Sequence, residues 1–186
     1  MTTTSDAELL RASTRDSGAF RELYDRHSRR VFGFHLRRTR STDAAHDLTA
    51  ETFAQAWFSR SRFRDQAGGS ARPWLLAIAS HTLSASVRKR ALEQTACQRL
   101  GVRERLDRPA ADVRPEESWL DDTVDDALAD LPGGQRDAIL LHVVDDLAYA
   151  DVGRVLGTTP EAARVRVHRG LETLRQRLHD RREERS

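Results

Sequence analysis

The chain has 186 residues, a hydrophobic fraction of 38% and a formal net charge of +2, and this length suits one medium domain or two small ones. Its single cysteine, Cys97, excludes an intrachain disulfide and a cysteine-based zinc site. No apolar run approaches the roughly 20 residues that cross a bilayer, and the start lacks a basic-then-apolar signal pattern. These features predict a soluble, cytoplasmic protein with no direct membrane insertion.

The first half of the chain predicts three helices, since its apolar residues recur at intervals of three and four. They are Phe20, Leu23, Tyr24, His27, Val31 and Phe34 in the first helix, Ala45, Leu48, Thr49, Thr52, Phe53, Ala56 and Trp57 in the second, and Leu75, Ile78, Ala79, Thr82 and Leu83 in the third. Residues 60–72 break the pattern with two glycines, which predicts a loop. Pro73 opens the third helix, which we predict to end at the basic run 88–90. These elements predict a helical domain over residues 5–92.

Residues 93–118 lack a sustained apolar stripe and contain Gly101, Pro109 and Pro115. We therefore predict a flexible linker between domains in this segment. Helical periodicity returns from Trp119, so we predict a second helical domain over residues 119–182. The predicted fold class is all-α, with two small helical domains.

The stretch from Leu147 to Leu174 predicts a helix-turn-helix motif. Gly157 can take the left-handed conformation that ends a helix, Thr159 is a suitable N-cap, and Pro160 suits the first helical position. The predicted buried face of the second helix is Ala163, Val167, Gly170, Leu171, Leu174 and Leu178. The residues predicted to face a DNA major groove are Thr159, Glu161, Arg164, Val165, Arg166, His168 and Arg169. The alternative is an ordinary helical hairpin with a solvated basic face.

Charge divides the second domain into two segments of opposite sign. The acidic segment contains Asp121, Asp122, Asp125, Asp126, Asp130, Asp137, Asp145, Asp146 and Asp151, and the basic segment covers residues 164–182. A basic helix would attract the DNA backbone, and an acidic scaffold could bind a basic partner or restrain nonspecific DNA binding. Two solvated faces are the alternative interpretation.

Two further surfaces are candidates for binding in the first domain. The second helix carries Asp47, Glu51, Ala54 and Phe58 on the face opposite its apolar stripe, which predicts a docking surface unless Phe58 folds under the following loop. The third helix presents Ala77, His81, Ser84 and Arg88 on its outer face, and aromatic and arginine residues precede it. These are Arg62, Phe63, Arg64 and Trp74. The rings of Phe63 and Trp74 could stack on unpaired bases or pack in the core.

The sequence contains no recognisable catalytic motif. A glycine-rich phosphate loop, a nucleophile elbow and a paired metal-binding motif are all missing from it. We therefore expect no enzymatic activity, no catalytic residue, no metal site and no cofactor.

Four segments in order carry a resemblance to a known family. AFRELYDRHSRRVFGF resembles sigma region 2.1, DAAHDLTAETFAQAW resembles region 2.2, and GGSARPWLLAIASHTLSASVRKR resembles regions 2.3 and 2.4. LPGGQRDAILLHVVDDLAYADVGRVLGTTPEAARVRVHRGLETL resembles region 4. Over roughly residues 5–178 the chain thus resembles the extracytoplasmic-function (ECF, group IV) sigma factors of the sigma-70 family.

The resemblance implies a promoter-specificity subunit of bacterial RNA polymerase, with a sigma-2-like helical bundle and a sigma-4-like helix-turn-helix domain. It implies that Asp47, Glu51, Gln55 and Phe58 dock on the clamp helices of the largest polymerase subunit. Residues 61–66 would form a pocket for a flipped base of the −10 element, with His81, Ser84 and Arg88 along the DNA. The helix from Pro160 would read the −35 element, and the acidic helices before it would face the polymerase flap. An anti-sigma factor is a further partner that the resemblance suggests.

Four residues depart from the family pattern. His46 replaces a usual acidic residue and Ala50 a frequent glutamine, which we expect to weaken or retune polymerase docking. His81 replaces a common asparagine and Ala85 a common aspartate, so the family's −10 consensus is not carried over to this chain. Two other functions therefore stay open: a stand-alone helix-turn-helix regulator, and a degenerate sigma-like protein that sequesters an anti-sigma factor.

Overall fold

The computed structural model describes residues 4–99 and 122–183. The chain divides into two compact units, residues 1–113 and 114–186. The described residues form helices, turns and loops without a strand, so the all-α prediction is confirmed. The predicted boundaries at residues 92 and 118 stay a prediction, because residues 100–118 lie outside the described ranges, as does the predicted helical position Leu120.

Eight α-helices account for most of the described chain. They are α1 (Asp6–Ala12), α2 (Ser17–Thr39), α3 (Thr42–Ser59), α4 (Arg72–Arg99), α5 (Asp122–Ala129), α6 (Gly133–Ile139), α7 (Tyr149–Val155) and α8 (Pro160–Glu183). A single 3₁₀ turn, Arg60–Arg62, follows α3, and a single π-helical turn, Leu140–Val144, follows α6.

Helix α1 is absent from the sequence prediction, although a local signal for it exists. Ser5 is the N-cap, accepting a hydrogen bond from the backbone N–H of Glu8, and the Glu8 carboxylate accepts one from the Ser5 backbone N–H in return. This capping box precedes the buried pair Leu9 and Leu10. The serine–glutamate spacing in front of two leucines therefore marks a helix start.

In the N-terminal unit, α1, α3 and α4 all pack against α2, and α3 also packs against α4. The largest side chains of this core are completely or almost completely buried; they are Leu10, Leu23, Val31, Phe34, Leu75 and Leu76. The predicted apolar stripes of α3 and α4 lie in or beside this core. Helical periodicity thus identified the buried faces of α2, α3 and α4, with the exception of Tyr24, which is 42% exposed.

Helix α4 is longer than the sequence predicts. It continues past the basic run 88–90 to Arg99, through the first seven residues of the predicted linker. Residues 87–96 are all exposed. A helix segment that buries no face shows no apolar period, which is why the pattern ended too early.

The C-terminal unit is a smaller helical cluster built around α8. Leu128, Leu131, Ile139 and Leu140 form a buried cluster, and Val124, Val144 and Leu174 pack against it. The π-helical turn is marked by a hydrogen bond from the Asp145 backbone N–H to the Leu140 carbonyl, 2.9 Å. It redirects the chain into α7, the first helix of the predicted helix-turn-helix.

Two glycines let other elements approach closely in this unit. A Cβ on Gly153 of α7 would stand 2.8 Å from the Thr158 carbonyl oxygen, and one on Gly170 of α8 would stand 2.7 Å from Ile139 Cδ1. Gly157 has a φ of +61°, which confirms the predicted left-handed helix end. The two helices of the motif can approach only because position 153 has no side chain.

Candidate nucleic-acid and protein-binding surfaces

The start of α8 has the geometry that the helix-turn-helix prediction requires. The Thr159 hydroxyl accepts a hydrogen bond from the Ala162 backbone N–H at 3.2 Å, and Pro160 is the first helical residue. Ala163, Val167 and Gly170 are buried. The opposite side is exposed along its length and carries Glu161, Arg164, Val165, His168 and Arg169. Two guanidinium groups and an imidazole can thus reach a major groove without disturbing the core.

Two α8 residues depart from the predicted arrangement. Arg166 is half-buried, and its Nη1 lies 4.0 Å from the position that a Cβ on Gly134 would take, so this side chain extends toward the start of α6. Leu171, predicted to be buried, is 38% exposed because Gly170 and Leu174 hold the interior positions. The exposed arginines available to DNA are thus Arg164 and Arg169 rather than all three.

The acidic and basic segments of the C-terminal unit partly neutralise each other. Arg177 Nη1 lies 3.2 Å from Asp130 Oδ2, and Arg181 Nη2 lies 3.1 Å from the same oxygen. Arg181 also approaches Asp126 at 3.8 Å. The end of α8 therefore pairs with the α5 region, whereas Arg164 and Arg169 in its first three turns stay exposed.

In the N-terminal unit, the loop of residues 63–71, called the glycine loop below, is folded around one carboxylate. Asp65 Oδ1 accepts hydrogen bonds from the backbone N–H groups of Ala67 at 3.1 Å and Gly69 at 2.9 Å. These bonds hold the pKa of Asp65 below its usual value. Gly68 and Gly69 have φ values of +60° and +91°. The loop is thus a defined turn in which glycine is needed twice.

Of the predicted aromatic pair, Phe63 begins this loop and Trp74 lies in the first turn of α4, which follows it. The rings of Phe63 and Trp74 meet edge to face, with centroids 5.2 Å apart, and both side chains are half-buried. Arg62 and Arg64 on either side of Phe63 are exposed. The pair is therefore neither part of the core nor free, and it offers aromatic surface flanked by cations.

The outer face of α4 follows the loop directly. His81, Ser84 and Arg88 are exposed at the spacing of one helix face, and Ala77 is half-buried. The Ser84 hydroxyl donates to the Ser80 carbonyl at 2.8 Å, so it presents its oxygen as an acceptor. The face is narrow and polar, and its one arginine, Arg88, lies farthest from the loop.

The predicted docking surface on α3, called the acidic face below, consists of Asp47, Glu51, Gln55 and Phe58, and all of these except the half-buried Gln55 are exposed. Asp47 and Glu51 are exposed, and Gln55 donates from Nε2 to Glu51 Oε1 at 2.7 Å. Phe58 is 80% exposed, which rules out the alternative that it folds under the following loop. The face thus carries an exposed phenylalanine ring two or three turns from its two exposed carboxylates.

The four unusual residues lie on these surfaces or at their edge. The exposed His46 stacks on Phe32 of α2, with ring centroids 4.6 Å apart and a tilt of 36°, and Ala50 is exposed next to Glu51. His81 is exposed on α4, while Ala85 is half-buried. Three of the four substitutions therefore change what a partner would contact.

A chain of polar groups crosses the core beneath α4, and the sequence prediction had assigned its threonines only to apolar stripes. His35 Nε2 lies 3.0 Å from the Thr52 hydroxyl, which lies 3.2 Å from the Thr82 hydroxyl. All three residues are buried. Burial, followed by the charge of Arg38, lowers the pKa of His35 to about 4. The neutral ring therefore links α2, α3 and α4, and polar residues at core positions were the available signal.

Neither metal ligands nor a membrane span emerge from the part of the chain that the structure describes. No group of three or more histidine, cysteine, aspartate or glutamate residues there could hold a metal ion. No helix there has the length and apolar character needed to cross a membrane.

Both units match family models of known proteins. Residues 23–93 match the family model Sigma-70 region 2, and residues 121–174 match the model Sigma-70, region 4. The RNA polymerase sigma factor CarQ of Myxococcus xanthus is 35% identical over 162 residues, which cover 86% of this chain and 89% of CarQ. The ECF RNA polymerase sigma factor SigK of Mycobacterium tuberculosis is 31% identical over 179 residues, 91% of each chain.

Solved structures agree on the fold. The sigma factor RpoE from Bartonella quintana, in complex with the anti-sigma factor NepR, has a TM-score of 0.70 at 23% identity and covers 86% of this chain and 96% of its own. CnrH, in complex with the cytosolic domain of CnrY, has a TM-score of 0.64 at 21% identity and covers 94% and 97%. Together with the relatives at above 30% identity, the two matched regions show that the chain belongs to the ECF sigma factors of the sigma-70 family, which direct RNA polymerase to promoters.

Proposed function

We propose that the two units of this sigma factor divide promoter recognition between them. The N-terminal unit docks on core RNA polymerase and opens the −10 element, and the C-terminal unit reads the −35 element as duplex DNA. The observation that carries this proposal is the contrast in exposed chemistry: aromatic rings beside a folded loop in one unit, and arginines on a groove-sized helix in the other.

Polymerase docking is assigned to the acidic face of α3. Asp47, Glu51 and Gln55 supply acceptors and an amide along one side of the helix, and the exposed Phe58 ring supplies apolar area at its end. Charged groups around an apolar anchor are typical of specific protein interfaces. The clamp helices of the largest subunit are the proposed partner. The helices before α8, which carry the acidic segment, are assigned to the flap, although Asp145 and Asp151 of that segment are buried.

Opening of the −10 element is assigned to the glycine loop, its flanks and the outer face of α4. Extracting a base from the stack costs a few kcal/mol, and stacking on an aromatic side chain returns about 1–3 kcal/mol per base. Phe63 and Trp74 supply that stacking, and Arg62 and Arg64 bind the backbone. His81, Ser84 and Arg88 continue the contact along the DNA.

Reading of the −35 element is assigned to the first three turns of α8. Arg164 and Arg169 can donate to guanine edges or phosphates, and Glu161 can accept from cytosine. Val165 can contact a thymine methyl, and His168 and Thr159 can contact the backbone. Arg166 is assigned a supporting role, since its side chain extends toward α6.

The remaining assignments follow from this role. We propose domain boundaries of 5–92 and 119–182 with residues 93–118 as the connection, a cytoplasmic location, and no catalytic activity of the chain itself. An anti-sigma factor is a proposed partner, because the RpoE structure that shares this fold contains one.

Run-off transcription with purified core polymerase on genomic fragments tests the proposal. The expected result is a small set of discrete start sites that depend on the added chain. Binding of promoter duplex without any gain in core-dependent transcription would favour a stand-alone regulator. Core binding without transcription on any fragment would favour a protein that only sequesters an anti-sigma factor.

A further inference from the structure

The N-terminal helix α1 meets the glycine loop through one buried carboxylate. Asp6 is 8% exposed, and its Oδ2 accepts a hydrogen bond from the Ala71 backbone N–H at 2.9 Å. Ala71 is the last residue of the loop and directly precedes α4. A carboxylate 65 residues away in sequence thus fixes the point where the loop becomes the helix.

Two side chains of α2 hold the same carboxylate from the other side. His27 Nε2 lies 2.8 Å from Asp6 Oδ2, and Arg26 Nη1 lies 3.3 Å from Asp6 Oδ1. Arg26 also donates to the Thr4 carbonyl at 2.6 Å. Because these partners come from the bundle, Asp6 connects the loop to the rigid part of the unit and not only to α1.

The backbone of α1 adds a second connection two residues earlier in the loop. The Ala7 N–H donates to the Gly69 carbonyl at 3.0 Å. A Cβ on Gly69 would stand 3.2 Å from Ser5 Cβ, so the two segments lie in close contact there. Together with the Asp65 bonds inside the loop, these contacts fix its second half from three directions.

We propose that Asp6 is a positioning residue for promoter opening, an inference that rests on the opening role proposed for the glycine loop. Asp6 and α1 hold the loop in its base-accepting shape before DNA arrives, so that the binding energy of an unpaired base is not spent on ordering the loop. The matched region 2 model begins at residue 23, so Asp6 lies outside the matched range, whereas the loop that it holds lies inside it.

The substitution Asp6→Asn tests the inference, with Asp25→Asn as the control. Asparagine keeps the size of the side chain but removes its charge and replaces one acceptor oxygen with a donor. Either the Ala71 and His27 bonds at Oδ2 or the Arg26 contact at Oδ1 is then lost, and the remaining contacts lose their charge assistance. Asp25 is an exposed aspartate of the same unit, and its substitution makes the same change in net charge. The full chain is assembled with core polymerase for all measurements.

The readout is the rate of open-complex formation on two templates, a fully paired promoter and one with the −10 region already unpaired. Loss of a buried charged hydrogen bond corresponds to about tenfold or more, so Asp6→Asn should slow opening of the paired promoter by about that factor. Core affinity should match the Asp25→Asn control. Initiation from the unpaired template, where base capture no longer has to drive melting, should be slowed less than opening of the paired promoter. Hydrogen exchange should show faster exchange in residues 67–71 of the variant.

Three outcomes overturn the inference. Equal opening rates for the two variants would show that Asp6 does not act on the loop. Equal loss on both templates, or lost core affinity, would show that Asp6 serves only the fold. The variant Phe63→Ala separates failure of this inference from failure of the proposed function. If Phe63→Ala also leaves the ratio of opening rates on paired and unpaired templates unchanged, the opening role of the loop is wrong. If Phe63→Ala changes this ratio and Asp6→Asn does not, only the inference about Asp6 is wrong.

Discussion

In the N-terminal unit the proposed DNA-contacting elements rest on buried polar groups, whereas in the C-terminal unit the recognition helix rests on glycines. Asp6 holds the glycine loop and the His35–Thr52–Thr82 chain lies under α4. Gly153 instead lets α7 approach the backbone of the turn before α8, and Gly170 lets α8 approach the Ile139 side chain. Hydrogen bonds of buried polar groups fix the orientation of the elements they join, and glycines set how closely two elements approach.

The difference suits what each unit has to bind. A flipped base needs a pocket whose donors and rings are oriented before binding, and directional hydrogen bonds provide that orientation. A major groove accepts a helix that is held rigidly against the rest of its domain, and close helix packing provides that rigidity. The two units should accordingly fail in response to different substitutions: loss of a polar atom in the first, and addition of a methyl group in the second.

The largest effect should come from Gly153→Ala. Its added Cβ would meet the Thr158 carbonyl at 2.8 Å and the Thr159 carbonyl carbon at 3.1 Å, and backbone cannot move aside cheaply. Overpacking of this kind costs about 1–3 kcal/mol or more, so −35 duplex affinity should fall by more than tenfold. Gly133→Ala, with open space around its Cβ, is the control that should bind like wild type. Equal binding by both variants would contradict the distance argument.

The next effect tests the polar chain. Thr52→Val keeps the shape of the side chain but leaves the His35 ring without the Thr52 hydroxyl, which should cost about 1–3 kcal/mol of unfolding free energy. Thr49→Val is the matched control on the same helix, because the Thr49 hydroxyl donates only to the Ala45 carbonyl of its own helix. Chemical denaturation with peptide-resolved hydrogen exchange measures both. Similar losses of unfolding free energy for Thr52→Val and Thr49→Val would mean that the His35–Thr52–Thr82 chain has no special role in stability.

A pH effect of similar or slightly smaller size follows from His35. Its pKa is about 4 in the folded protein because of burial and then Arg38, and about 6.5 when unfolded. A lowered histidine pKa favours the neutral form in the fold, so stability is full above pH 6.5 and is lost as pH falls toward 4. Between pH 7 and pH 5 the protonation of His35 should by itself remove about 2 kcal/mol from the unfolding free energy of the N-terminal unit. His35→Gln should flatten this dependence in a denaturant titration; an unchanged slope would refute it.

Substitutions of single recognition arginines should have moderate effects. Arg164→Ala or Arg169→Ala should weaken −35 duplex binding by about 1–2 kcal/mol, while Arg166→Ala should do less because that side chain extends toward α6. Arg175→Ala, exposed further along α8, serves as the control. A larger loss from Arg175 than from Arg164 and Arg169 would move the DNA contact to the end of the helix.

The smallest effect is expected on the acidic face. The double change Asp47→Ala and Glu51→Ala should reduce core affinity by about 1 kcal/mol, since exposed charges at an interface contribute little each. Binding of the isolated −35 duplex should be unaffected. If both activities fell together, misfolding rather than docking would explain the loss.

Sequence periodicity predicted the long helices well because each buries one face. It missed α1, although Ser5 and Glu8 form a capping box ahead of two leucines. It ended α4 too early because residues 87–96 bury nothing. The Asp6–Ala71 bond could not be predicted, since no local pattern reports a contact between positions so far apart in the chain.

Helical periodicity also predicted most of the exposed positions correctly. Helical spacing placed Phe58, His81 and Arg169 outside the core, as observed. It failed for Leu171 and Arg166, where the choice between neighbouring positions depends on Gly170 approaching Ile139 and on the open space beside Gly134. Such close approaches are set by tertiary packing and leave no periodic signal.

Site-specific crosslinking in the polymerase–promoter complex tests the division between the units most directly. A photoreactive amino acid at position 63 should crosslink to unpaired bases of the −10 element, and one at position 169 should crosslink to the −35 duplex. Each crosslink should map to one element only. Crosslinking of both positions to the same element, or of position 63 only to paired DNA, would contradict the account.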